Sequence, residues 1–453
     1  MECTDREGFS DTARRLAADP RNYGPLDDFN GRARITGPCG DTMEFWLSAA
    51  NGIVARMTFT TDGCGPSRAC GSMATSLVEG RRIEDAAALA QGEILEALGG
   101  IPPEFEHCAL LAANTVKAAC EDYRRRSARG AAEPGAARAS CDGCARTDCP
   151  ASGRGEGESD EEFEDRRQLA ARLCRIRRKV IVLSGKGGVG KSTVAVNLAA
   201  ALVLAGKKVG LLDVDIHGPS IPTMLGLERE KILNSEEGIV PVDLGLLKVM
   251  SLGFLLPSAD DAVIWRGPMK MAVIKQFLKD VAWGDLDYLV VDSPPGTGDE
   301  PLSVCQLIGP VDGALIVTTP QKVAAVDVRK SVTFCRRLDV PILGIVENMS
   351  GFTCPRCGET TPILRAGGGR RTAEDMGVPF LGSIPMDPQI AEACDDGRTF
   401  VARYAASATA KIMRSILDPI AAQHDAEDRT AAARARNDKI GRASCRERVY
   451  HPV

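Results

Sequence analysis

The sequence predicts an α/β chain: a large parallel-sheet domain preceded by a small α+β domain and a Cys-containing flexible linker. Three observations carry this. Between about 178 and 422, the runs "KVIVLS", "KVGLLDVD", "YLVVDSPP", "GALIVTTP", "PILGIVEN" and "PFLGSIP" alternate with helical stretches. Near-continuous apolar strands separated by helices imply a parallel sheet covered on both faces. Earlier, "TMEFWLSAANGIVARMTFTT" reads as two strands about an Asn51–Gly52 turn, with helical patterns following at about 66–79, 83–98 and 108–126. Between these regions the composition becomes polar and Gly-rich. The expected divisions are a small domain over 22–126, a linker over 127–170, a large domain over 171–423 and a disordered tail over 424–453.

The 453 residues suffice for two or three domains, and a net charge of −5 gives no reason to expect nucleic-acid binding. The N-terminus, "MECTDREGFSDTARRL", has no apolar run, and no stretch approaches the roughly 18 apolar residues of a membrane span. A cytoplasmic chain without membrane attachment is expected. In a reducing compartment its 16 cysteines read as metal ligands, reactive thiols or small buried hydrophobes rather than disulfides. Most of the isolated Cys3, Cys305, Cys335 and Cys394 are expected to be small buried hydrophobes. Residues 439–449, "KIGRASCRERV", read as a translated sequencing adapter, with 439–453 an artefact of read-through. Resequencing the locus tests this, and Cys445 is given no role.

In the small domain, glycines flank Cys39 on one side and Cys64 on both, as in exposed turns. The segments "ITGPCGDTMEFWL", "TTDGCGPSRACGSM" and "GIPPEFEHCALLA" resemble the IscU/NifU-type scaffolds on which iron–sulfur clusters are built. The resemblance implies Cys39, Cys64 and Cys108 as thiolate ligands, with Asp41 and His107 as further ligands or modulators, for a [2Fe–2S] or [4Fe–4S] cluster. A carboxylate or imidazole holds soft iron less firmly than a fourth thiolate, which suits a donor. Phe105 stands where those scaffolds commonly carry a lysine, which puts chaperone docking in doubt. Cys70 is an additional thiol without an assigned role.

In the large domain, Gly185–Ser192 fits G-x-x-x-x-G-K-[ST], directly after a strand and opening a helix. Gly185, Gly187, Gly188, Val189 and Gly190 let backbone N–H groups surround phosphates. Lys191 offers a charge to the β/γ-phosphates, the Ser192 hydroxyl suits Mg²⁺, and Thr193 continues the helix start. Asp213 and Asp215 in "LLDVDIHGPSIP", and Asp292 in "VVDSPPGTGDE", fall at strand ends, where open α/β sheets bind ligand. Asp292 suits holding Mg²⁺ through water, and Asp215 suits orienting the attacking water.

Lys186, a second lysine inside "GKGGVGKS", resembles the deviant P-loop of the MinD/ParA/nitrogenase-iron-protein superfamily. That resemblance implies ATP bound in a homodimer, with Lys186 reaching the partner's nucleotide and Asn348 in "IVENMSG" recognising adenine. "DIHGPSIP", "DSPPGTGDE" and "ENMSGFTCPRCGE" further resemble the Mrp-type iron–sulfur carrier ATPases. Spacing alone leaves Cys354 and Cys357 open to zinc or a cluster. The family resemblance implies a [4Fe–4S] cluster bridging two subunits there.

The linker "SCDGCARTDCP" carries Cys141, Cys144 and Cys149. It resembles a four-cysteine cluster motif preceding the ATPase in eukaryotic-type members, with a zinc knuckle or redox pair as alternatives. Its fourth ligand is open among Cys120, Cys174 and the dimer partner. Together these readings imply ATP-dependent building and delivery of clusters to apo-proteins, with a separate cysteine desulfurase supplying sulfur. The rivals are a positioning ATPase of the MinD/ParA kind and an ATP-driven electron-transfer protein. The helical pattern "ATAKIMRSILDPIAAQ" groups Ile412, Met413, Ile416, Leu417 and Ile420 as a core stripe rather than a basic membrane-binding face.

Overall fold

The computed structural model describes residues 8–37, 40–50, 52–129, 153–155, 157–215, 218–235, 238–255, 267–354 and 359–422. Its N-terminal part opens with helix α1 (Asp11–Ala18), whose Ala13 amide donates to the Ser10 hydroxyl. Strands β1 (Gly31–Thr36), β2 (Thr42–Ala50) and β3 (Ile53–Thr61) form an antiparallel sheet in that order. Gly52, at φ +77°, stands in the tight β2–β3 connection expected from the sequence. Phe45 and Phe59 face each other across the two strands with ring centroids 5.5 Å apart. Helix α2 (Gly65–Val78) crosses so closely that a methyl group at Gly71 would lie 2.2 Å from the Phe59 ring.

The single helix expected over 83–98 is two, α3 (Ile83–Ala87) and α4 (Gln91–Leu98). The Glu93 carboxylate accepts the Ala90 amide at 3.0 Å and starts the second helix afresh. Helix α5 (Glu106–Arg129) is longer than 108–126 and packs across β1 and β2.

Helix α6 (Asp160–Leu173) begins inside the segment expected to be a flexible linker, so that expectation fails for 160–170. Local and distant contacts both order it. Ser159 and Glu162 form a capping box, and Asp165 pairs with Lys275 and Lys279. Leu169 and Leu173 are buried.

The remainder runs β4 (Ile176–Ser184), α7 (Lys191–Leu204), β5 (Val209–Asp213), α8 (Ile221–Met224), β6 (Leu233–Ser235), β7 (Gly238–Val240), β8 (Val242–Asp243) and β9 (Leu247–Ser251). It continues through α9 (Gly267–Lys279), β10 (Leu286–Asp292), α10 (Asp299–Ile308), β11 (Gly313–Thr318), α11 (Lys322–Arg337) and β12 (Ile342–Glu347). The hairpin β13 (Phe352–Thr353) and β14 (Thr360–Thr361) precedes α12 (Gly368–Met376), β15 (Phe380–Ser383), α13 (Pro388–Asp395) and α14 (Phe400–Arg403). A last helix covers 408–422.

The large sheet has the order β15-β12-β11-β4-β10-β5-β9-β8, parallel except at the β8 edge. Successive β4 residues serve opposite faces, Val180 and Val182 one core, Ile181 and Leu183 the other. The first core continues from α7 into the N-terminal part. In the last helix Met413, Ile416, Leu417 and Ile420 are buried, while Ile412 is exposed, so the expected five-residue stripe is four. Among the described residues no helix is long and apolar enough to cross a membrane.

Candidate functional site

The ends of β4, β5, β10 and β12 converge around the loop that follows β4. The chain leaves β4 at Ser184 and enters α7 at Lys191 through the glycine loop. Gly190 takes φ +80°, and a methyl group there would lie 2.2 Å from the Asn348 amide nitrogen, so glycine is required on both counts. Asn348 is buried after β12, and its Nδ2 donates to the Val189 carbonyl at 2.9 Å. The first amides of α7 face the loop, the arrangement that favours an anion at a helix N-terminus.

Lys191 is buried within reach of two carboxylates. Its Nζ lies 2.5 Å from Asp292 Oδ1 and 3.7 Å from Asp215 Oδ2. Asp213, one strand over, is fully buried, and burial together with the charge of Asp292 pushes its carboxyl up to about 7. Asp213 Oδ2 accepts from the Ser251 hydroxyl at 2.9 Å. Asp213, Asp215 and Asp292 thus outnumber the lysine buried among them. Three buried oxygens near the strand ends, Ser184 Oγ, Asp292 Oδ2 and Ser293 Oγ, have no hydrogen-bond partner among the described residues. Buried polar atoms are rarely left so, and these fit a cation and phosphate group. Lys186 is half-buried in the loop.

Four residues beyond Asn348, the chain enters the β13–β14 hairpin. The Cys354 amide donates to the Glu359 carbonyl at 2.9 Å, which places half-buried Cys354 at the hairpin mouth. Cys357 lies outside the described residues, as do Cys39, Cys141, Cys144 and Cys149.

A second cluster occupies the N-terminal part, where the Gly37–Asp41 turn, the start of α2 and the start of α5 meet. The Ser67 hydroxyl donates to Asp41 Oδ2 at 2.6 Å and lies 3.3 Å from Cys108 Sγ. His107 Nε2 stands 3.6 Å from Cys108 Sγ. A hydrogen bond from Cys108, outweighing partial burial, lowers the Cys64 thiol to about 6. The structure therefore brings Asp41, Cys64, His107 and Cys108 together. Among the described residues no three His, Cys, Asp or Glu side chains converge on a single metal ion.

Other thiols separate cleanly. Cys70 is buried and its thiol is pushed up by desolvation. Burial drives the Cys120 thiol up to about 12. Cys305 and Cys335 are buried, as expected of small hydrophobes, whereas Cys394 is only half-buried.

Three residues to which the sequence motifs assign no role shape these sites. Ser67 links Asp41 to Cys108. Ser251 holds Asp213. Glu347, fully buried, accepts the Gly369 amide at 2.6 Å and the Gly367 amide at 3.0 Å, which fixes the strand end before Asn348. Only Glu347 left a sequence signal, a carboxylate closing an apolar strand.

A family model described as the NUBPL iron-transfer P-loop NTPase matches residues 175–421, and one described as the NifU-like N terminal domain matches residues 9–130. The iron-sulfur cluster carrier protein of Methanocaldococcus jannaschii is 50% identical over 259 residues, covering 57% of this chain and 87% of that protein. The human cytosolic Fe-S cluster assembly factor NUBP2 is 51% identical over 253 residues, 55% of this chain and 93% of that one. A solved nucleotide-binding protein from Archaeoglobus fulgidus in complex with ADP is 44% identical, with a TM-score of 0.47, over 52% of this chain and 92% of that one.

Proposed function

The chain belongs to the NUBPL iron-transfer P-loop NTPase family and carries a NifU-like domain ahead of it; from that premise we propose an ATP-dependent builder and carrier of iron–sulfur clusters, acting in the cytoplasm. A [2Fe–2S] or [4Fe–4S] cluster is assembled at Cys39, Asp41, Cys64, His107 and Cys108, with sulfur from a separate cysteine desulfurase. It passes to a [4Fe–4S] site formed by Cys354 and Cys357 of two subunits of a homodimer, and from there to apo-proteins. Cys141, Cys144 and Cys149 hold a further cluster or a zinc ion between the two. Tethering both sites on one chain raises the effective concentration for transfer to about millimolar.

The observation that carries this reading is covalent proximity. Asn348, anchored on the nucleotide loop, and Cys354, at the hairpin mouth, lie on one short segment. Any nucleotide-dependent shift of Asn348 is passed directly to the cysteine pair. In the pocket, Lys191, the loop amides and Thr193 bind phosphates. Ser192 and Asp292 hold Mg²⁺, and the orphaned Asp292 Oδ2 fits that role. When bound, Mg²⁺ neutralises phosphate charge. Asp215 orients water, Asp213 supports the strand end, and Lys186 reaches the partner's nucleotide.

Anaerobic reconstitution of the wild type and of the Cys354→Ser/Cys357→Ser double variant tests the proposal. Iron and sulfide are counted, Mössbauer spectra recorded and transfer to an apo-enzyme assayed. The wild type is expected to carry a cluster that the double variant lacks at the carrier site, and to donate it. Binding of zinc alone, or failure to donate, ends the carrier reading.

A further inference from the structure

The N-terminal site stands at one end of a seam with the parallel-sheet part. His107, Leu111 and Asn114, on one face of α5, line a narrow cleft with Val203, Leu204 and Leu246. Gly245 abuts Ile35 so closely that a methyl group there would lie 2.6 Å from the Ile35 side chain. At the far end Lys208 Nζ pairs with Glu121 at 2.8 Å. At the site end the contact is Arg398. Its guanidinium packs on Gly40, where an added methyl group would lie 3.2 Å from Arg398 Cζ. Gly40 takes φ +88° and immediately precedes Asp41, whose carboxylate holds Ser67 beside Cys108.

Behind Arg398 two contacts lead back to the nucleotide pocket. Gly397, at φ +66°, lies against Gly226 with no room for a side chain of its own; a methyl group on Gly397 would sit 2.6 Å from Gly226 Cα. Gly226 follows α8, whose first amide, Ile221 N–H, points to Asp213 Oδ2 at 3.4 Å. Separately, the Thr193 side chain on the first turn of α7 acts on the Cys394 thiol of α13, favouring its thiolate against the burial that pushes the thiol up. The turn is rigidly closed, since the Arg398 amide donates to the Ala393 carbonyl at 2.8 Å.

We propose that Arg398 is a positioning residue of the cluster-building site, placed there by the ATPase part and moved by its nucleotide through α8 and the Cys394–Arg398 turn. The proposal rests on the reading of the N-terminal site given above. A thiolate-ligated cluster is anionic, and a guanidinium at the edge of its loop favours retention. Nucleotide binding that shifts Asp213 or Thr193 displaces the turn and changes that retention. Because coupling is reciprocal, the cluster alters nucleotide affinity by the same factor.

The test uses the full chain with Cys141, Cys144, Cys149, Cys354 and Cys357 changed to Ser, leaving the N-terminal site for iron. After reconstitution, cluster loss to a chelator is followed by visible absorbance, with and without Mg²⁺ and a non-hydrolysable ATP analogue. The analogue is expected to change the half-life by about fivefold or more. Arg398→Ala should shorten the half-life and abolish the nucleotide effect, and Arg398→Lys, which also serves if the alanine variant does not fold, should restore part of both. An undiminished nucleotide effect in Arg398→Ala overturns the proposal, as does a parent protein indifferent to nucleotide. A parent that takes up no iron fails at the earlier step, removing the building site itself and this inference with it.

Discussion

Lys191 and Asp292 form a buried ion pair, Nζ to Oδ1 2.5 Å, between the nucleotide loop and the adjacent strand β10. Removing one member of such a pair leaves an uncompensated buried charge. Asp292→Ala is expected to cost about 3–5 kcal/mol, read by urea denaturation. Lys191→Met/Asp292→Ala should cost clearly less than the sum of the single changes. Simple additivity would show that Asp215 alone already satisfies the lysine.

The proposed role of Lys186 separates binding from turnover. Lys186→Ala should leave nucleotide affinity near wild type while ATP hydrolysis falls by about 10³ or more, the scale of a cation delivered in trans. Isothermal titration and steady-state phosphate release distinguish the two quantities. Unchanged hydrolysis would remove the trans-lysine step.

The thiols differ in their titration. Cys64 is lowered to about 6 by its hydrogen bond from Cys108, whereas burial holds Cys120 at about 12. Alkylation of Cys64 in the metal-free chain should therefore rise through pH 6 and level off by neutrality, with Cys120 unreactive until unfolding. The folded-state value lies below the ordinary thiol value of 9.0, so the thiolate stabilises the fold. This group's contribution is complete above about pH 9 and is lost as pH falls through about 6. Mass mapping of the alkylated chain across pH reads the reactivity, and a midpoint near 9 at Cys64 would contradict the geometry.

Helix α6 depends on its cap. Ser159→Ala removes the acceptor of the Glu162 amide and should destabilise the helix by about 1 kcal/mol. Faster hydrogen exchange is expected over Asp160–Leu173, with the nucleotide loop unaffected. Equal exchange in both proteins would mean that the Asp165 pairs with Lys275 and Lys279 suffice.

What could be read beforehand divides by the range of the interaction. The glycine loop, the turn at Gly52 and the strands ending at Asp213 and Asp292 depend on short-range backbone demands, so adjacent residues announce them. Helix α6 lies in a stretch that reads as linker because its stability comes partly from lysines more than a hundred positions away, and its cap lies in an otherwise Gly-rich, acidic run. Ser67 gives no sequence signal for the same reason: its partners Asp41 and Cys108 are far from it in sequence, and a serine in a helix start is ordinary. Arg398 has no local motif at all, since its neighbour Gly40 lies on the other side of the seam.

The order of the large sheet also constrains when each site comes into being during synthesis. Strand β4, which feeds the nucleotide loop, is flanked by β10 and β11. Both are made more than a hundred residues later, so β4 waits unpaired while they are translated. The elements α1 to α5 are complete once Arg129 has been made. Domains generally fold as units, N-terminal first, while the ribosome adds about 5–20 residues each second. A nascent chain thus has its first group of thiols in place for several seconds before it possesses a pocket for nucleotide.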